Sequence, residues 1–164
     1  MTERDRLRLY LKGAVNPVSI LSSAASAGLG QWRGRPPEWK QGAQGYGWRF
    51  GSAYAGHLVR ETLMFGASSL LHEDNRYVRC GECGSKKRLG YALESTFLAR
   101  HDDGSSHFSF SKVGAVAGAS LISRTWQPAS SGSLHSAGVN FGISMAVAAG
   151  FQVAREFLPD LRRR

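Results

Sequence analysis

Small residues recur at every fourth position along the last apolar stretch of the chain: Gly138, Gly142, Ala146, Gly150 and Ala154. On an α-helix such a row is one nearly straight ridge with almost no side chain, so another backbone can lie close against it. Gly114 and Gly118 repeat the spacing, and Ser111, Ala115, Ala119 and Ser123 line the adjacent row. Gly47, Gly51 and Ala55 follow it earlier, as do Ala24 and Gly28. Glycine in a solvated helix is about 1 kcal/mol less favourable than alanine. Its repeated placement at contact spacing predicts close helix packing, the small-xxx-small pattern that joins helices in lipid. Gly, Ala and Ser make up 59 of the 164 residues, so one such pair means little and the run of five carries the reading. A tight soluble bundle is the competing explanation.

Four segments carry little charge: 13–32, 50–71 (broken by Arg60 and Glu61), 113–123 and 137–154. Polar connectors separate them. Pro36 and Pro37 bar a helix through 33–47, and Pro128 and Gly132 break the chain again. Ser133 is placed to cap the final segment and Pro159 to stop it. Leu89, Ala92, Leu93, Thr96, Phe97 and Arg100 follow an i, i+3, i+4 pattern that predicts an amphipathic helix over 88–100. Clean strand alternation is missing, although 113–122 is apolar at both parities. Asp103-Gly104 is the one hairpin signal. The expected fold is mostly α, a small-residue-rich helical bundle, with a Gly-rich antiparallel β-barrel as the alternative. The expected organisation is a single domain, 1–164, with a basic N-terminal tail, 1–12, and a basic C-terminal tail, 155–164.

Lys and Arg number 21 against 12 Asp and Glu, a net charge of +9. That charge is spread in short groups from Arg4 to Arg164 rather than gathered in one patch. No recognised nucleic-acid module accompanies it, and nucleic acid would not account for the apolar small-residue segments. Attraction to anionic lipid head groups accounts for both. The expected partners are therefore anionic membrane lipid and further copies of the chain, with nucleic acid not favoured. The basic segment 1–12 before the uncharged 13–32 has the order of a signal peptide, but Asn16, Pro17 and the serines make a poor apolar region. The expectation is a chain not exported by this route, or a start upstream of Met1.

Chemistry-bearing residues are few. Cys80 and Cys83 form a CxxC that supplies one side of a tetrahedral zinc site or a redox pair, and His72, His101 or His107 would have to complete the former. His72-Glu73-Asp74 and His101-Asp102-Asp103 are two acid–histidine triplets that could bind a divalent metal or move protons if they met in space. The simpler reading is structural: Glu73, Asp74, Arg76 and Tyr77 form a loop-locking network, with Arg76, Arg79 or Arg49 as ion-pair partners. Nucleophile-elbow, Walker A and His-Glu-x-x-His patterns are missing. No catalytic residue and no cofactor is assigned, and the chain reads as non-enzymatic.

Several stretches carry a resemblance: Asn16-Pro17-Val18; Gln41-Gly42-Ala43-Gln44-Gly45-Tyr46-Gly47-Trp48-Arg49-Phe50; Leu70-Leu71-His72-Glu73-Asp74-Asn75-Arg76-Tyr77; Gly90-Tyr91-Ala92; Thr96-Phe97-Leu98-Ala99-Arg100; and Arg155-Glu156-Phe157-Leu158-Pro159-Asp160. Together they resemble an uncharacterised bacterial family of small, often signal-bearing envelope-type proteins. The chain departs from that family at Asn16, at Asn75 in place of a proline, and in having the cysteine pair. The resemblance implies association with the cell envelope and no particular chemistry. The expected function is a membrane- or envelope-associated helical protein that packs or self-associates through its small-residue ridges. The alternatives are a soluble bundle with a metal or hydrolytic site at the triplets, and a basic nucleic-acid-binding protein.

Overall fold

In the computed structural model, which describes residues 2–80, 83–101 and 105–161, the chain passes through α1 (Glu3–Ala14), α2 (Pro17–Trp32), α3 (Ala43–Leu71), β1 (Glu73–Asp74), α4 (Ser85–Glu94), β2 (Leu98–His101), β3 (Ser106–Phe108), α5 (Phe110–Ile122) and α6 (Leu134–Leu161). Local chemistry sets the starts. Thr2 and Asp5 form a capping box on α1. Asn16 Oδ1 accepts from the Val18 N–H ahead of Pro17 in the first turn of α2. Ser109 caps α5 through the Lys112 N–H, and Ser133 caps α6 through the Ser136 N–H. α3 follows Gly42, whose φ of 93° favours glycine, and ends at His72 in the left-handed region.

The fold is mostly α. α3 lies at the centre of the bundle against α1, α2 and α5, while α6 packs on α4 and α5. A small antiparallel sheet of order β1-β2-β3 pairs Glu73 with His101, Asp74 with Arg100, and Ala99 with His107. The β-barrel alternative is overturned, because the apolar segments close their hydrogen bonds within helices.

The core is made of small side chains. Ala14, Ala27, Ala92, Ala99, Ala115, Ala119 and Ala137 are buried, with Val116 and Met145 as the larger members. Glu73 and Glu156 are among the largest fully buried side chains. Large apolar residues lie outside instead, among them Leu21, Trp32, Leu70, Leu121, Ile143 and Val147.

Four expectations need correction. The helix over 88–100 stops at Glu94, and Leu98–His101 is strand, because the second half of that segment pairs with β1 and β3. Pro159 does not end α6, which runs on to Leu161 where Arg79 and Arg88 fasten Glu156 and Asp160 around it. The N-terminal residues are no loose tail: α1 packs on α3, and Arg6 is buried with Nη1 donating to the carbonyls of Ser68 and Glu73. Of the C-terminal residues read as a tail, 155–161 continue α6, and Arg162, Arg163 and Arg164 lie outside the described residues.

Candidate functional site

The polar residues quoted in the sequence gather into separate interior locks. Arg49, buried on α3, holds the connector from α2. Its Nε donates to Arg35 O at 2.8 Å, Nη1 to Gln31 Oε1 at 2.7 Å and Lys40 O at 2.8 Å, and Nη2 to Pro36 O at 3.0 Å. A side chain at Gly45 would collide with the carbonyls of Trp39 and Lys40, so the glycine is what lets α3 start against that loop.

Glu73 is 1% exposed. Its Oε2 accepts from the hydroxyls of Ser109 at 2.7 Å and Ser111 at 2.5 Å, and Oε1 from the Phe110 N–H at 3.0 Å. A carboxylate thus sits on the N-terminus of α5, where the helix dipole favours it. Burial pushes Glu73 up, but the Ser111 and Ser109 hydroxyls and the two backbone N–H groups outweigh it and hold it below the usual carboxylate range. Asp74 pairs separately with Arg76, Nη2 to Oδ2 at 2.6 Å, nearer the surface. The expected four-residue network is therefore divided: Glu73 caps a helix, Asp74 and Arg76 pair locally, and Tyr77 turns to α6.

Glu156, on α6, is 0% exposed. Tyr77 Oη donates to its Oε2 at 2.6 Å and Arg88 Nε to its Oε1 at 2.9 Å. Arg79 and Arg88 also reach Asp160 at 2.9 and 2.7 Å. Burial and the adjacent Glu156 carboxylate raise the Tyr77 phenol well above its ordinary value, so it stays a donor. The CxxC lies inside this clamp: Cys80 and Cys83 are joined as a disulfide, and the Cys80 N–H donates to Glu156 Oε2. A fourth lock lies on α3, where His57 Nε2 donates to Gly13 O at 2.9 Å and Arg60 bridges His57 and Glu61.

These positions answer the metal and acid–base readings. The thiols are consumed by the disulfide. His72 is the left-handed cap of α3, and Glu73 beside it is occupied by α5. β1 and β2 bring Glu73 opposite His101, but Asp102 and Asp103 of the second triplet lie outside the described residues. Among the described residues no three His, Cys, Asp or Glu side chains converge as metal ligands would.

Two surfaces remain. One is a cleft of about 240 Å³ between the sheet, α4 and the start of α5, lined by Asp74, Arg76, Tyr91, Arg100 and Lys112. Lys112 Nζ donates to Ser95 O at 3.0 Å and Leu98 O at 2.6 Å, which ties off the end of α4. Burial lowers its ammonium to about 8, with Glu73 and Asp74 opposing that shift. Lys112 carries no motif signal in the sequence; its only advertisement is a cation just inside a helix start.

The other surface is α6. Leu134–Asp160 spans 27 residues, is long and apolar enough to cross a membrane, and has 11% of its most apolar window buried. Val139, Ile143, Val147 and Phe151 form an exposed row at 47, 57, 50 and 42%. Gly138, Gly142, Ala146 and Gly150, one position earlier, are exposed beside them, and a Cβ added at any of the three glycines would meet no other atom within 4 Å. Ala154 is half-buried. On α5, Gly114 likewise faces open space, whereas Gly118 lies against Leu63. Within one chain the α6 ridge is thus not a helix–helix contact. No family model, curated protein or solved structure matches the chain.

Proposed function

We propose that the chain is a non-enzymatic helical protein of a membrane or cell envelope, whose α6 lies against lipid and, through its small-residue row, against a second copy. The observation that carries the reading is α6 itself: a helix long enough to span, whose apolar row stays uncovered by the rest of the bundle. Monomeric soluble proteins seldom expose so continuous an apolar stripe. The small row beside it supplies a surface flat enough for another helix to approach, which is how helices associate where no hydrophobic drive separates them from lipid. Spread positive charge adds attraction to anionic head groups. The resemblance to envelope-type proteins points the same way.

Fractionation of the expressed chain tests this. The expected result is a membrane pellet that high salt does not release and detergent does. Full solubility of the chain at low salt overturns the proposal and returns the molecule to the soluble-bundle class.

A further inference from the structure

The cleft between the sheet and α4 contains more unmet donors than acceptors. Arg76 gives the Nε and Nη2 of its guanidinium to Asp74, which leaves Asp74 occupied in turn. An ammonium has three N–H groups, and Lys112 gives two of them to Ser95 O and Leu98 O. Among the described residues the third is not taken, and neither the Arg100 guanidinium nor the Tyr91 hydroxyl has a partner. Arg100 reaches this wall because β2 pairs it across from Asp74. Against these donors stands the carboxylate of Glu94 on the exposed rim. Two cations and a hydroxyl facing one space call for an oxygen-rich anion.

We propose that this cleft binds a phosphate group, with Arg100 and Lys112 as its cationic partners and Tyr91 as a hydroxyl donor. The volume suits a phosphate with a short organic tail rather than a larger ligand. The group comes either from a soluble phosphate ester or from a lipid head group. Position favours attention to the second: Tyr77, on the wall of the cleft, bonds directly to Glu156 near the C-terminal end of α6. If α6 crosses a bilayer, that end lies at head-group depth. Only this choice of source rests on the membrane reading; the phosphate site does not.

The test titrates the whole chain with inorganic phosphate and with glycerol phosphate, followed by calorimetry, and repeats it on Arg100→Gln, Tyr91→Phe and a remote control, Arg33→Gln. Arg100 and Tyr91 bear no interior hydrogen bond, so these variants keep the fold; Lys112 is spared because it ties off α4. Saturable binding is expected, weakened about tenfold by Arg100→Gln, less by Tyr91→Phe, and unchanged by the control. Affinity is also expected to fall as pH rises past about 8, where Lys112 loses its charge because burial, aided by Arg155 and opposed by Glu73 and Asp74, disfavours the ammonium. A parallel flotation compares vesicles of phosphatidylcholine with vesicles containing phosphatidic acid. Extra flotation with phosphatidic acid that Arg100→Gln removes assigns the site to lipid. Arg100-dependent phosphate binding without that effect assigns it to a soluble ester. Absence of saturable phosphate binding, or binding indifferent to Arg100→Gln, overturns the proposal; flotation that persists in that case leaves the membrane reading standing.

Discussion

α3 runs for 29 residues and α6 for 28, yet α3 buries Arg49 and Glu61 inside the bundle while α6 leaves Val139, Ile143, Val147 and Phe151 outside it. Charges inside and apolar residues outside invert the usual arrangement in water. α3 tolerates its charges because each finds partners: carbonyls of the 33–42 loop for Arg49, and Arg60 for Glu61. α6 has one such lock, at Glu156, and it sits near the helix end. Elsewhere α6 packs on α4 and α5 with Ala137 and Met145 buried. The contrast separates two tasks. α3 organises the connectors of the bundle, and α6 presents a surface while anchored at one end.

The largest effect is expected where α6 is anchored. Glu156→Ala removes the acceptor shared by Tyr77, Arg88 and the Cys80 N–H. Breaking one side of a buried ion pair destabilises by about 3 kcal/mol. Asp74→Ala breaks a pair with the half-exposed Arg76, so the loss there stays under about 1 kcal/mol. Urea unfolding of both variants makes the comparison. Equal small losses would show that the end of α6 is not locked, and the division of labour between the two helices would go with it.

How much of this was legible in sequence depends on the kind of signal. The start of the last helix was readable at Ser133, since a capping side chain acts on its own next turn; the same chemistry at Asn16 went unread. The mostly helical fold followed from segment length and missing strand alternation. Arg88–Arg100 misled because its apolar spacing suits a helix, while the pairing of Leu98–His101 with β1 and β3 is a long-range choice. The sequence reading grouped Glu73 with Asp74, Arg76 and Tyr77, and its bonds run elsewhere. Its carboxylate faces the hydroxyls of Ser109 and Ser111, more than thirty residues away, instead of an arginine. Glu156 sat in a quoted motif without an assigned role, because its partners Tyr77 and Arg88 come from a distant connector and helix. Lys112 was missed altogether; a single cation near a cap has no pattern to betray a cleft.

Glycines sharpen the contrast at intermediate magnitude. In α3, a Cβ at Gly45 would run into two backbone carbonyls, which cannot move like a flexible side chain. Gly45→Ala is expected to destabilise by about 1–3 kcal/mol, as overpacking does. In α6, a Cβ at Gly142 meets nothing within 4 Å. There alanine should stabilise the isolated chain by a few tenths to about 1 kcal/mol, because it restricts the unfolded backbone and favours the helix. Thermal unfolding of dilute protein reads both. Opposite signs sustain the distinction; the same sign at both sites removes it.

The smallest effect on folding, and the most telling for function, is expected from Gly142→Leu and Gly150→Leu. Sequence spacing alone predicts that a leucine on this ridge forces helices apart. Geometry moves that clash out of the single chain, since both positions face open space. Leucine should therefore not destabilise the monomer; as a good helix former it shifts unfolding in the same stabilising direction as alanine and by no more than alanine does. Val139→Leu and Val147→Leu, in the adjacent exposed row, serve as controls that add similar bulk without filling the flat strip. If α6 meets a second copy there, the two glycine variants lose dimer crosslinks in detergent while the valine variants keep them. Crosslinking equal in all four variants would leave α6 facing lipid alone, since an apolar row needs no partner helix in a bilayer but a small-residue row gains from one. A monomer destabilised by leucine at Gly142 would instead place the ridge against the chain's own helices, and the exposed face would have to be sought elsewhere on the bundle.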